Sequence, residues 1–192
     1  MADHVHRHGG RFHSVRFYED DASLCRLVTE FIGDGLAAGQ PAVVIAVPRH
    51  RDGIIRGLGT LAFDVAQLEE RGDLLLLDAE ETLATFMKAE APDPAAFVQS
   101  IGGILDRLAA GRPQVTVRAY GEMVDCLWKR SATDAAIRLE VLWNELADAR
   151  GFSLLCGYAI GNFYKYGAYE DICRQHTHVL SASGQPTPVT VS

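Results

Sequence analysis

The sequence predicts an α/β fold of three layers, a mostly parallel sheet flanked on both faces by helices. Short apolar runs alternate about five times with stretches whose apolar residues recur at helical spacing. The runs are continuous, AVVIAV at 42–47 being the clearest, which marks strands buried on both faces rather than half-exposed hairpins. A length of 192 residues, 48% hydrophobic and 22% charged, suffices for one well-buried domain.

The elements follow in order. Phe12–Tyr18 reads as a strand, and Leu24, Leu27, Val28, Phe31 and Ile32 then define a helix expected to break at Gly33, Gly35 and Gly39. Ala42–Val47 is a strand stopped by Pro48, and Arg51–Leu58 a short helix. Leu74–Leu77 is the next strand, after the Arg71-Gly72-Asp73 turn. Phe97, Ile101, Ile104, Leu105 and Leu108 mark a helix closed by Gly111 and Pro113. Gln114–Tyr120 reads as a strand, Glu122–Lys129 as a short helix, Thr133–Ala149 as a longer one and Phe152–Tyr158 as the last strong strand. Residues 1–10, with His4, His6 and His8, are expected to form a flexible arm. Residues 11–182 then form one domain and residues 183–192 a flexible tail.

Composition narrows the function. A net charge of −7 with only three lysines gives no basic face, so no direct nucleic-acid partner is expected. No apolar run reaches the roughly 20 residues of a membrane span. The N-terminus also lacks the apolar core of a signal peptide, so the cytoplasm is the expected location and no membrane partner is expected. Cys25, Cys126, Cys156 and Cys173 form no CxxC pair, and neither GxSxG nor HExxH occurs. The chain is not expected to be an enzyme.

Ligands of parallel sheets bind at the carboxyl ends of the strands. That rule selects Tyr18–Asp21, Pro48–His50, Asp78–Glu81, Tyr120–Glu122 and Gly157–Asn162. A phosphate loop at such a junction needs glycines and a lysine following glycine. This chain offers Tyr18-Glu19-Asp20-Asp21 instead. Two like charges about 4 Å apart repel by about 1 kcal/mol in water and by more in a partly buried site. The same acids suit a helix N-terminus, so Asp20 or Asp21 is expected to cap.

The residues put forward for ligand binding are Tyr18, Glu19, Tyr120, Glu122, Trp128, Cys156 and Tyr158. Glu122 follows a central strand, where it either faces the ligand crevice or serves as a cap or a partner of Arg118. Trp128 and Trp143, with Phe17 and Tyr18, either line an apolar pocket or fill the core. Cys156 and Tyr158 alternate along one strand and so share a side. His13, Cys156 and His176 are candidate metal ligands, although spacing supplies no full ligand set. No cofactor is expected.

Four segments, HSVRFYEDDASLCRLVTEFIGDGLAAGQPAVVIAVP, AYGEMVDCLW, LEVLWNELADARGFSLLCGYAIGNF and ICRQHTHVL, together resemble the MEDS domain, the methanogen/methylotroph DcmR sensory domain. The resemblance runs from about His13 to Leu180. It implies a degenerate relative of the RecA/KaiC ATPases that acts as a sensory or ligand-binding module in transcriptional and two-component signalling. GLAAGQPAVVIAV, DGIIRGL and FDVAQLEERGDLLLLDA are similar to KaiC segments. The lysine-bearing loop of that family is matched by YEDDASLC. Where an acid usually ends the Walker B strand, VTVRAYGEM places Arg118, with Glu122 beyond it. Both departures speak against ATP hydrolysis.

The expected function is therefore a non-catalytic cytoplasmic sensory domain. It binds a small organic effector or a signalling partner protein and relays the signal to a transcription regulator or histidine kinase, with self-association as one means. The alternative is a residual nucleotide-binding, ATPase-like protein using Arg49, Arg51 and Arg118 in place of lysine. A scaffold that binds nothing is the third reading.

Overall fold

The computed structural model describes residues 12–112, 114–159, 178–180 and 186–188. The chain order is β1 (Phe12–Tyr18), α1 (Asp21–Ala37), β2 (Ala42–Ala46), α2 (Pro48–Thr60), α3 (Val65–Glu70), β3 (Leu74–Asp78) and α4 (Ala79–Ala84). A small antiparallel ribbon, β4 (Met87–Lys88) and β5 (Ala91–Pro92), precedes α5 (Pro94–Phe97). Helix α5 runs through a π turn (Val98–Gly102) into α6 (Gly103–Ala109). Then follow β6 (Arg118–Gly121), α7 (Met123–Lys129), α8 (Thr133–Arg150), β7 (Ser153–Ala159), β8 (His178–Leu180) and β9 (Pro186–Pro188).

One sheet has the order β3-β2-β6-β7-β1-β8-β9. Every pair is parallel except β8 with β9. Strand side chains alternate between two apolar layers. Val15, Val43, Ile45, Ala119, Leu154, Cys156 and Tyr158 pack with α4 to α8, whereas Tyr18, Val44, Tyr120 and Leu155 pack with α1, α2 and α3. The three-layer α/β architecture follows. All five residues of β2 are buried, as its unbroken apolar run requires. Among the described residues no helix is long and apolar enough to cross a membrane.

Several elements differ from the sequence-based expectation, each for a local reason. Helix α1 continues through Gly33 and Gly35, because these glycines make room for neighbours. A Cβ on Gly35 would stand 2.5 Å from Arg118 Cδ, and one on Gly33 would stand 3.0 Å from Leu61 Cδ1. The turn comes instead at Gly39, whose φ is +74°. Helix α2 begins at Pro48 rather than Arg51, since proline's fixed φ suits the first helical position. Strand β6 starts only at Arg118, Gln114 being in a turn with φ of +70°. Helices α3 and α4 were not legible as helices but are capped at short range: Asp64 accepts from Gln67 N, and Asp78 from Glu80 N and Glu81 N. Pro186–Pro188, within the segment expected to be a tail, pairs with β8.

Candidate functional site

The carboxyl ends of β1, β2 and β6 bring together a buried polar network. The acids of the YEDD turn divide their work. Asp20 caps α1 by accepting from Ser23 N at 2.7 Å, which confirms the expected cap and holds the Asp20 carboxyl below its ordinary value. Asp21 reaches across to the start of α2. Its Oδ1 lies 2.9 Å from His50 Nε2 and its Oδ2 lies 2.9 Å from Arg49 Nε. Glu19 is exposed.

His50 is fully buried, and its other nitrogen, Nδ1, lies 2.7 Å from Glu122 Oε1. Glu122 is the residue just past β6 and is itself 1% exposed. Such a carboxylate needs several donors to persist in an apolar surround. It also receives the Val47 N–H at 2.9 Å on Oε2 and the Tyr120 hydroxyl at 2.7 Å on Oε1. Room for that hydroxyl comes from Gly157 on β7, where a Cβ would stand 2.7 Å from it. Burial, then the charge of Glu122, pushes the Tyr120 phenol well up, so it stays a donor.

A second branch lies beside the first. The Tyr18 hydroxyl donates to Asp125 Oδ2 at 3.2 Å, and its ring meets His50 edge-on with centroids 5.7 Å apart. Asp125 also accepts the Ala159 N–H at 3.1 Å and pairs with Lys129 Nζ at 2.5 Å, one helical turn on. Burial and the carboxylates of Asp125 and Glu122 raise the Tyr18 phenol. Burial lowers His50, but Glu122 and Asp21 outweigh it and the net shift is upward. Buried acids and phenols thus lie beneath the partly exposed charges of Asp21, Arg49 and Lys129.

The sequence-based site residues fall into two groups. Tyr18, Tyr120 and Glu122 meet at this carboxyl end. Cys156 and Tyr158 share one side as expected, but that side faces α8. There Cys156 meets His13 and Tyr158 donates a short hydrogen bond to Glu140. Burial drives the Cys156 thiol and the Glu140 carboxyl up, with His13 opposing it at Glu140. Trp128 is buried in the layer of α4 to α8. Trp143 is also core, edge-on to Phe97 at 5.2 Å. His176 and the far part of Gly157–Asn162 lie outside the described residues.

Arg118 requires a correction. It opens β6, at the amino end of the strand, and is buried against α1. Its Nε donates to Gln40 Oε1 at 2.7 Å, its Nη1 donates to the Phe31 carbonyl at 2.8 Å, and its guanidinium lies 4.9 Å from the Phe31 ring centroid. It is therefore no partner of Glu122, which is held at the other end of β6.

Sequence reasoning missed Asp125, Lys129, Glu140 and the role of His50. The i,i+4 pair Asp125/Lys129 and the position of His50 just past β2 were the available signals. A family model described as MEDS, MEthanogen/methylotroph, DcmR Sensory domain, matches residues 12–177. No curated protein matches the chain.

Proposed function

The chain belongs to the MEDS family of sensory domains, and on that premise we propose that it reads a small neutral or cationic organic effector at the carboxyl end of its sheet. The observation that carries the reading is the chain Asp21–His50–Glu122, a histidine clamped between two carboxylates where a phosphate-binding fold would present backbone N–H groups and lysine. Phosphate meets like charge there. A cation or a neutral hydrogen-bonding compound competes instead for Asp21 and Asp125, the carboxylates on which the partly exposed Arg49 and Lys129 close. Displacing either cation shifts the first turn of α2 or the body of α7, and this is the movement a partner reads. The output passes in the cytoplasm to a transcription regulator or histidine kinase, with self-association of the domain as one route. The same reading takes the chain as a KaiC-like relative whose phosphate loop has become the YEDD turn. Its support is the place of that turn between β1 and α1.

Thermal-shift titration tests this with a panel of small organic cations and neutral polar compounds, set against ATP, ADP and GTP with Mg²⁺. An effector at 100 times its Kd adds about 2.7 kcal/mol of stability. Glu19→Lys and Asp125→Asn are expected to abolish that gain, Glu19→Lys without loss of fold. Stabilisation by Mg-nucleotide alone would return the nucleotide-binding reading, with Arg49 and Arg51 as its remaining arginines.

A further inference from the structure

The cluster on the opposite side of the sheet plays no part in the crevice just described. We infer that His13, Glu140 and Cys156 form a binding site for a divalent zinc-class metal ion beneath α8. The three residues come from β1, α8 and β7, 127 and 16 positions apart in sequence, and all three are buried. Each aims one ligand atom at a common point. His13 Nε2 lies 3.3 Å from Cys156 Sγ and 3.4 Å from Glu140 Oε2, and all three ligand atoms fall within 4.8 Å of one another. Zinc bonds of about 2.0–2.3 Å at tetrahedral angles place neighbouring N, O and S ligands about 3.3–3.6 Å apart. The two separations from His13 already have that size, so two edges of the ligand triangle stand ready for the ion.

The donor set suits the ion. One imidazole, one thiolate and one carboxylate are the ligand types of zinc, and the mixed hardness disfavours Mg²⁺ and Ca²⁺, which take oxygen. A thiolate and a carboxylate also balance the charge of a dication, which a dry site demands. Outer contacts orient the ligands. Asn144 Oδ1 stands 2.8 Å from His13 Nδ1, and a proton held there turns the Nε2 lone pair toward Cys156 and Glu140. The Tyr158 hydroxyl holds the other oxygen of Glu140, leaving Oε2 on the His13 side. Asn144 lies one helical turn past Glu140 on α8, so one helix face supplies a ligand and a positioning residue. Three ligands among the described residues leave one tetrahedral position for a further donor.

The test uses the full chain carrying His4→Ala, His6→Ala and His8→Ala, which removes the histidine arm as a competing site. After chelator treatment it is titrated with Co²⁺ and then Zn²⁺. The expected result is one saturable site with intense tetrahedral visible bands and a thiolate-to-cobalt charge-transfer band, displaced by one equivalent of Zn²⁺. Cys156→Ser should abolish the charge-transfer band. Asn144→Ala should keep the band and weaken affinity about 10–100-fold. Zinc-edge X-ray absorption on the same chain with its core unaltered should show one sulfur at about 2.3 Å among nitrogen and oxygen ligands. That readout stands even where Cys156→Ser fails to fold. A charge-transfer band that survives in folded Cys156→Ser, a shell with no sulfur or with several, or no binding at all overturns the site.

Discussion

His50 is the residue on which the crevice turns, and its chemistry makes a pH prediction. Burial disfavours its charged form, yet Glu122 and Asp21 raise it above the ordinary value of 6.5. A group raised in the folded state contributes stability that is full below the unfolded value and fades as pH climbs through the folded one. Urea midpoints of the native chain and His50→Gln, compared from about pH 5.5 to about pH 9, should therefore differ most at the acid end and converge as pH rises. A constant difference would mean that His50 is neutral throughout. Glu122 makes the complementary case. Glu122→Ala strands the Val47 N–H, the Tyr120 hydroxyl and His50, and should cost about 3–5 kcal/mol in urea denaturation. A loss below about 1 kcal/mol would show that water replaces the carboxylate freely. At this scale Tyr18, Tyr120 and Glu122 were legible, because the position of a residue past a parallel strand is written in the chain. Their partners were not. Asp21 and His50 lie 29 residues apart and His50 and Glu122 lie 72 apart, and no spacing rule joins them.

Elements were legible wherever apolar period and chain length agreed, and their ends were misread where a glycine served packing instead of a turn. Helices α1 and α2 cross closely enough that Gly57 accepts the side chain of Thr29: a Cβ there would stand 2.3 Å from Thr29 Oγ1 and 2.9 Å from Cγ2. Gly59 on the same helix has nothing within 4 Å of its Cβ position. The two glycines should thus respond in opposite directions to alanine. Gly57→Ala overpacks the crossing and should lose about 1–3 kcal/mol, whereas Gly59→Ala only stiffens the unfolded chain and should gain about 0.5–1 kcal/mol. Thermal unfolding of the two variants side by side reads the sign. Equal losses would remove close helix approach as the reason for Gly57. A single sequence cannot tell the two apart, since the space around a missing Cβ belongs to the partner helix. The same blindness hid Glu140, whose place on α8 beside Trp143 was readable while its aim at His13 and Cys156 depended on the pairing of β1 with β7.

At the scale of the molecule, the alternation of strand side chains ties two apolar layers to one sheet. Val43 and Ile45 of β2 serve the layer of α4 to α8, and Ala42, Val44 and Ala46 of the same strand serve the layer of α1 to α3. On β7, Leu154 and Cys156 serve one and Leu155 the other. Removing either layer uncovers a face of the shared strands, at about 25 cal/mol for each Å² of apolar surface exposed. Neither layer therefore keeps its strands once the other is gone. The arrangement makes a measurable prediction because both tryptophans, Trp128 and Trp143, lie in the layer of α4 to α8. Tryptophan fluorescence follows that layer alone, while far-ultraviolet ellipticity follows the helices of both. Coupling through the sheet requires the two urea transitions to share one midpoint and one slope. Fluorescence that changed at lower urea than ellipticity would show the layer around Trp143 melting away from an intact remainder. The acids and phenols of the crevice would then rest on only half of the fold, since Glu122 and Asp125 come from one layer's connections and His50 and Asp21 from the other's. A single transition instead makes the crevice a junction that both layers hold in register, so that an effector binding there stabilises the whole domain by one increment visible to both probes.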